Sequence, residues 1–212
     1  MKGEDRIFTI LLTGFDPFGD EPVNPSSVAV NDIAEDELDS VKIITEEIPT
    51  AFHESSKMVF DLIDEIDPDV VLHVGQADGT ADIRVERVAL NLNDARIQDN
   101  EGRKPIDEKI VEEGELAFYA TIPTKKIVEA LKEEDIPAYL SYSAGTYVCN
   151  HVFYSTAYHV NKNDLDILYG FIHVPFLPEQ ASAKKKGTPS MCKENIKKAL
   201  LVSIQETIDE IR

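Results

Sequence analysis

The sequence predicts an α/β fold, a three-layer α/β/α sandwich around a mixed, mostly parallel central sheet. Short apolar runs rich in Val, Ile and Leu recur along the chain and are typical of buried strands. Segments with apolar residues at helical spacing separate these runs, which is the alternation expected when helices cover both faces of a sheet. The chain has 212 residues, 42% of them hydrophobic, so it can bury one sizeable core. We therefore expect one domain over residues 1–212.

The first third of the chain predicts strands joined by helices. Residues 7–13 (IFTILLT) indicate a buried strand, and the Gly-, Pro- and Asp-rich segment 14–25 after it indicates a long loop. We expect this loop to be a binding element. Asn24 and Pro25 are typical of an N-cap and a first helical residue, predicting a helix to about residue 37. The next predicted elements are the strand 41–48, the helix 51–66 and the strand 69–75.

Residues 82–91 (DIRVERVALN) alternate in polarity and predict a single strand. The following residues, 92–121, lack periodicity, and so long an irregular excursion usually has a purpose. We expect it near the site or at a subunit contact. The alternation in 82–91 places Val85, Arg87 and Ala89 on one face, and Glu86 and Val88 on the other.

The last third returns to alternating strands and helices. In sheets of this kind ligands gather at the carboxyl ends of strands, so polar residues placed there carry the most functional weight. The predicted elements are a helix from Pro123 to about Glu134, the strand 138–141, the helix 148–160, the strand 167–174 and a helix from about Pro189 to Ile211.

Charge and composition exclude several classes of partner. Asp and Glu number 40 against 21 Lys and Arg, a net charge of -19, which repels nucleic acids and anionic membranes. Such an acid excess also fits a salty habitat. The basic run 184–186 is interpreted as a solvated loop. The N-terminus (MKGEDRIF) does not resemble a signal peptide, and the only cysteines, Cys149 and Cys192, form no CxxC pair, so we expect a cytoplasmic protein.

Several familiar catalytic motifs are missing from the sequence. There is no GxGxxG, no P-loop lysine and no GxSxG, which disfavours nucleotide-dependent chemistry and serine hydrolysis. The five histidines form no HExxH motif and no close cluster with cysteine. We therefore expect neither a metal nor another cofactor.

Three residues remain as candidates for chemistry: Cys149 at the start of a predicted helix, His173 at the end of a strand, and Glu86 on another strand. A helix N-terminus stabilises a thiolate by about 0.3–1 kcal/mol, whereas one pKa unit takes about 1.36 kcal/mol. Activating a thiol at neutral pH therefore needs a cation as well. An imidazolium held by a carboxylate would supply it.

Structural roles are open for each of these residues on composition alone. Cys149 could be a small core residue, and His173 a hydrogen-bonded core histidine. Glu86 could pair with Arg84 or Arg87. Cys192 has no comparable setting and is interpreted as structural.

The sequence resembles the pyrrolidone-carboxylate peptidases, or pyroglutamyl peptidases, which are cysteine peptidases that remove an N-terminal pyroglutamyl group. The resemblance covers much of the chain and keeps its motifs in order. Small departures are Asp20, the ADG at 77–79 and Gln98. The matching segments are TGFDPFG (13–19), NPS (24–26), IPT (48–50), PDVVLHVGQA (68–77), VERVALNLNDARIQDNEG (85–102), IPAYLSYSAGTYVCNHVFY (136–154) and GFIHVPFLPEQ (170–180).

The resemblance implies a role for each matching residue. Cys149 would be the nucleophile, His173 the general base and later acid, and Glu86 the carboxylate that orients the histidine. Arg96 would support the oxyanion, although a salt bridge in an acidic loop is the alternative. The resemblance further implies that Phe15 and Phe18 wall the lactam ring, where loop packing is the alternative, and that Gln76 lies in a loop whose backbone bonds that ring.

The family resembled also implies a phosphorylase/hydrolase-like fold, a single peptidase domain, and substrates that are peptides or proteins with an N-terminal pyroglutamate. It implies a homotetramer. Two other functions remain open: a non-catalytic module that binds blocked peptides or small amides, and a nucleoside phosphorylase-like transferase, because a fold does not fix a function.

Overall fold

The computed structural model describes residues 6–33 and 38–212. No helix in these ranges is both long and apolar enough to cross a membrane. The strands are β1 Phe8–Phe15, β2 Val41–Ile48, β3 Val70–Gln76, β4 Ile83–Glu86, β5 Val88–Leu90, β6 Ala117–Tyr119, β7 Ala138–Ser141 and β8 Leu168–Val174. The helices are α1 Pro25–Ile33, α2 Phe52–Ile66, α3 Thr124–Glu133, α4 Val148–Lys162, α5 Pro178–Ser182 and α6 Lys193–Ile211.

The central sheet is mixed and mostly parallel, as predicted. Its six strands lie in the order β2-β1-β3-β8-β4-β7. The first four strands in that order run parallel, β4 runs antiparallel to β8, and β7 runs parallel to β4. Strands β5 and β6 form a separate antiparallel pair. Because β4 and β7 run against the others, their carboxyl ends lie at the opposite edge of the sheet.

Helices cover both faces of the sheet, which confirms the predicted α/β/α sandwich. On one face α1, α3 and α6 bury residues of one apolar cluster against β1, β3, β4 and β8. On the other face α2 and α4 bury a second cluster that includes Leu11, Val71 and Phe171. Alternation along each strand sends neighbouring side chains to opposite layers. Residues on the α4 face can therefore meet the first turn of that helix.

The prediction of one strand over 82–91 is wrong. The chain leaves the central sheet at Arg87, whose side chain donates to Thr124 Oγ1 on the α3 side, and then starts the separate β5–β6 pair. The alternation of polar and apolar residues continues across this break, so the sequence pattern does not reveal where β4 ends. Within β4 the predicted alternation holds, since Ile83 and Val85 join the cluster on the α3 face.

Other boundaries differ by a few residues. The excursion 92–121 contains β6, which is three residues long and has two exposed residues, so it has no buried apolar pattern. Helix α6 begins at Lys193 and not near Pro189, and the short helix α5 was not predicted. The predicted end of α1 near residue 37 lies outside the described residues.

Candidate active site

His173 and Glu86 form a buried pair on the α4 face of the sheet. His173 lies near the carboxyl end of β8, and its Nδ1–H donates to Oε1 of Glu86 over 2.8 Å. Strand register explains the geometry: Glu86 lies opposite Phe171, so it reaches His173 diagonally, two residues along the antiparallel strand. The side chains are only 8% and 1% exposed. The ring's other nitrogen, Nε2, stays available to a further partner.

That partner is the thiol of Cys149. Cys149 is the second residue of α4, its side chain is half-buried, and it is one of the two groups that raise the pKa of His173. Gly75 of β3 makes room for it, because a Cβ at that position would lie 3.1 Å from Sγ and 2.7 Å from the Phe171 ring. The structure thus brings together the three residues that the sequence singled out.

Electrostatics keep the His173 ring protonated near neutral pH. Burial by itself would lower the pKa of His173. The hydrogen bonds with Cys149 and Glu86, together with the negative charges of those partners, outweigh burial and raise the pKa to about 9. An imidazolium at this position can stabilise a thiolate on one side while a carboxylate holds it on the other.

The start of α4 places backbone N–H donors next to the Cys149 thiol. The first N–H groups of a helix lack partners inside the helix, and the N-cap residue Tyr147 makes no capping hydrogen bond with its side chain. Its hydroxyl instead donates to the carbonyl of Gln98. N–H groups at such a terminus can stabilise an oxyanion that forms on the carbonyl attacked by the thiol.

The two predicted aromatic residues occupy different environments, since Phe15 is the last residue of β1 and Phe18 lies in the loop after it. Phe15 is 2% exposed, and its ring centroid lies 6.2 Å from that of Phe171, which in turn lies 4.7 Å from His173. Phe18 is partly exposed, and its ring lies 6.0 Å from Tyr147, two residues before the thiol. Phe18 is therefore the residue of the two that a bound molecule can reach.

Polar side chains fix the shape of this loop. Oδ1 of Asp16 accepts from the Thr50 backbone and from Asn100, over 2.6 Å and 3.1 Å. Asn24, which is buried, donates to the Asp16 carbonyl, and the Phe15 backbone N–H donates to Ser26. These four hydrogen bonds fix the backbone on both sides of Phe18, so the loop holds Phe18 in place.

Gln76 is the last residue of β3, directly before the segment 77–82 that leads to β4. Its Oε1 accepts from Nε2 of Gln180 over 3.0 Å. The same amide of Gln180, which is 5% exposed, also lies within bonding distance of Glu21 and of the Val23 carbonyl. Gln180 thus joins α5, β3 and the loop after β1. Its place in a short helix that was not predicted hid it from sequence reasoning.

The irregular excursion lies beside the site. Asn100 donates to the Pro17 carbonyl, and the buried carboxylate of Asp99 accepts from the Phe52 backbone at the start of α2. Arg96 belongs to the same segment, but it is exposed, and no hydrogen bond within the described parts of the chain joins it to Cys149 or His173.

Two further buried histidines lie outside the pair. His73 lies between Thr13 and Thr156, and burial lowers its pKa to about 3. Burial, with a smaller effect of His53, also lowers the pKa of His151 to about 3. Both are neutral at pH 7. In residues 6–33 and 38–212 no group of three or more His, Cys, Asp or Glu side chains could hold a metal ion.

Lys184, from the run interpreted as a solvated loop, makes specific contacts. Its ammonium pairs with Glu21 and lies 4.6 Å from the centroid of the Phe176 ring. The hydrogen bond from Lys184 outweighs burial and lowers the pKa of Glu21. This ion pair connects Glu21, in the loop after β1, to Lys184, in the segment that follows α5.

Comparison with known proteins points to one family. The model of the family described as pyroglutamyl peptidase matches residues 8–210. A pyrrolidone-carboxylate peptidase of Bacillus cereus (strain G9842) is 48% identical over 199 residues, covering 94% of this chain and 92% of the relative. One of Bacillus mycoides (strain KBAB4) is 47% identical over 197 residues, covering 93% and 91%.

Solved structures of similar proteins share the fold. The crystal structure of pyroglutamyl peptidase I from Bacillus amyloliquefaciens has a TM-score of 0.91 and 44% identity, covering 94% of each chain. A mutant pyrrolidone carboxyl peptidase from the hyperthermophile Pyrococcus furiosus has a TM-score of 0.93 and 39% identity, covering 97% of this chain and all of its own.

Proposed function

Because the chain belongs to the pyroglutamyl peptidase family, we propose that Cys149, His173 and Glu86 carry out its reaction. The chain is a cysteine peptidase that hydrolyses the amide bond after an N-terminal pyroglutamyl residue. The observation that carries the assignment of roles is the series of interactions from the half-buried Cys149 thiol through the His173 ring to the buried Oε1 of Glu86. We propose that residues 1–212 act as one peptidase domain.

The first half of the reaction forms a thioester. The Cys149 thiolate attacks the pyroglutamyl carbonyl carbon, a C–S bond forms, and the carbonyl electron pair moves to oxygen. N–H groups at the start of α4 stabilise that oxyanion. When the tetrahedral intermediate collapses, the C–N bond breaks, and the departing amine takes the proton from Nε2 of His173. Arg96, exposed in the neighbouring loop, would support the oxyanion by its charge.

The second half releases pyroglutamic acid. A water molecule gives a proton to Nε2 of His173 as its oxygen attacks the thioester carbon. The C–S bond then breaks, and the thiolate and the imidazolium are restored. Glu86 stays ionised throughout, since it orients the ring through Nδ1 and stabilises its positive charge. These steps need no group beyond the chain's own residues and water.

We propose that specificity for the blocked N-terminus arises because the pyroglutamyl group is uncharged. A pyroglutamyl ring carries no ammonium group and presents apolar faces with one N–H and one C=O. We propose that Phe18 covers one face of the ring and that backbone groups near Gln76 bond its edge, while Phe15 supports the site from behind through Phe171. An open glutamyl residue would bring charges into this slot, which costs several kcal/mol.

A chromogenic amide tests the assignment of roles. The protein should release the chromophore from a pyroglutamyl amide, and iodoacetamide or Cys149→Ser should abolish the release. Cys192→Ser is the matched control, because it removes the chain's other thiol, at the N-cap of α6. Full turnover by the Cys149→Ser variant would overturn the assignment. Binding without release would support a non-catalytic module, and phosphate-dependent release of a base would support a transferase.

The natural partners and the assembly can be tested separately. We propose that the substrates are peptides or proteins with an N-terminal pyroglutamate and that the protein is a homotetramer. Leu116 and Tyr119 are 82% and 68% exposed, which offers apolar surface for a subunit contact. Size-exclusion chromatography with light scattering should give four times the 23.7 kDa of the chain. We also propose a cytoplasmic location, because a reducing compartment keeps a nucleophilic thiol active.

A further inference from the structure

Two polar atoms lie buried without a hydrogen-bond partner among the described residues: Nε of Arg84 and Oε2 of Glu86. The first atom is a donor and the second is an acceptor. Burying either atom unpaired is unfavourable, and such atoms in native proteins call for an explanation. Oε1 of Glu86 is already engaged with His173, so Oε2 is the free half of the carboxylate.

Strand geometry places the two side chains next to each other. Residues two apart on a strand project from the same face, about 6.6 Å apart along it. The alternate residues Ile83 and Val85 pack into the cluster on the α3 face, so Arg84 and Glu86 project toward α4. The length of an arginine side chain spans the separation.

The same register brings Arg84 close to the histidine. Arg84 is paired with His173 across the antiparallel strands, and side chains of such pairs start about 4.5–5.5 Å apart. Its guanidinium carbon lies 5.8 Å from the ring centroid of Tyr139 on β7. The cationic side chain of Arg84 therefore starts beside Glu86 and His173, on the side of this pair away from the Cys149 thiol.

We propose that Arg84 is a positioning residue, whose Nε–H is hydrogen bonded to Oε2 of Glu86, either directly after a rotation of the arginine or through one water molecule. This link holds the carboxylate plane so that Oε1 faces Nδ1 of His173. The positive charge of Arg84 also moderates the attraction of Glu86 for the imidazolium proton. The inference rests on the proposed roles of Glu86 and His173.

The ionisable groups near this link come from five elements, β3, β4, β7, β8 and α4. Removing the charge of Arg84 should stabilise the imidazolium and destabilise the thiolate. The pKa values that limit activity should therefore both rise. The groups facing the pair are Arg84 and Glu86 from β4, His173 from β8 and Cys149 from α4, with Tyr139 from β7 beside Arg84 and His73, which is neutral, behind Phe171.

The test is the pH profile of kcat/KM for Arg84→Met, with Arg87→Met as the matched control. The Arg87→Met substitution removes the same charge from the opposite side of the sheet, where Arg87 contacts Thr124 and Tyr119. We expect Arg84→Met to lower kcat/KM about tenfold, less than the about 10²-fold that a misplacement of 1 Å can cost. Both limbs of its profile should move up by about half a pH unit or more, and those of Arg87→Met should not.

A second readout does not depend on turnover. It is the rate at which iodoacetamide alkylates Cys149, measured against pH in a Cys192→Ser background. With Arg84→Met, the pH at which this rate rises should shift upward. If that variant does not fold, Arg84→Lys decides, since it keeps the charge and lacks the Nε–H. We expect Arg84→Lys to lower kcat/KM about threefold or more with smaller shifts in pH.

Three results would overturn the inference. They are a profile for Arg84→Met that matches the wild type, equal shifts in Arg84→Met and Arg87→Met, and an Arg84→Lys variant with wild-type kinetics where Arg84→Met does not fold. Failure of the proposed function is distinguishable, because then Glu86→Gln and His173→Ala would leave turnover intact as well.

Discussion

Replacing Glu86 with Gln should lower the pH at which activity declines on the alkaline side. In the proposed mechanism the active form holds an imidazolium, and the pKa of His173 is raised to about 9 by its interactions with Cys149 and Glu86, against the effect of burial. A hydrogen bond to a charged group contributes about 1.5–3 kcal/mol. At about 1.36 kcal/mol per pKa unit, loss of the carboxylate charge should lower the pKa of His173 by about 1–2 units.

The measurement is kcat/KM for a chromogenic pyroglutamyl amide from about pH 5 to about pH 10. We expect the alkaline limb of Glu86→Gln to fall to about pH 7–8, and the rate at pH 7 to fall about 10²-fold. Glu129→Gln is the matched control, because Glu129 is exposed on α3, on the far side of the sheet. An alkaline limb that stays where the wild type has it would refute the assignment of Glu86 as the partner of the imidazolium.

The same substitution should change how stability depends on pH. A histidine whose pKa in the fold exceeds its usual 6.5 stabilises the fold fully below about pH 6.5, and this contribution is lost as pH rises through about 9. The contribution is about 3 kcal/mol at most. The free energy of unfolding, from urea titrations, should therefore differ most between wild type and Glu86→Gln near pH 6, and the difference should shrink toward pH 9. A constant difference would contradict the linkage.

Three further predictions address the surroundings of the site. Phe18→Ala should raise KM with little loss of stability, whereas Phe15→Ala should cost about 3–5 kcal/mol of stability, because Phe15 is 2% exposed; equal KM effects without unfolding would contradict this. Gly75→Ala should slow alkylation of the nucleophile at least tenfold, because its Cβ would lie 3.1 Å from Sγ, whereas Gly170→Ala, which clashes with Ile122 on the opposite face, should reduce stability and leave alkylation of the folded protein unchanged. Burial holds the pKa of His73 at about 3, so the unfolded chain binds one more proton below pH 6.5, and stability should fall by about 1.4 kcal/mol per pH unit on acidification; His73→Gln should make this slope shallower in urea titrations.

The fold was largely predictable because most elements have a local signature. Strand β2 and strand β7 have the predicted bounds, and α2 and α4 start within one residue of the prediction. Apolar runs and helical spacing carry that information within a few residues. The failure at Arg87 has the opposite cause. Whether a strand continues there depends on which partner strand is present, and partners come from distant parts of the chain.

The residues of the site could also be predicted from the sequence, but the distances and contacts between them could not. Cys149, His173 and Glu86 were singled out by residue type and position on predicted elements. That Glu86 reaches His173 diagonally from an antiparallel strand depends on the register of β4 and β8. Gly75 gave no signal either, because its importance comes from the Sγ atom of a helix more than 70 positions away in the sequence.

The sequence by itself determined the alternation of elements, the chemistry of the three side chains and the family. The tertiary structure decided the distances between those side chains, the burial of Phe15 against the exposure of Phe18, and the pairing of Arg84 with His173 across the sheet. The physical reason is range. Helix and strand preferences act between neighbours in the chain, whereas the pKa of His173 and the position of the thiol depend on groups that only folding brings within a few ångströms of one another.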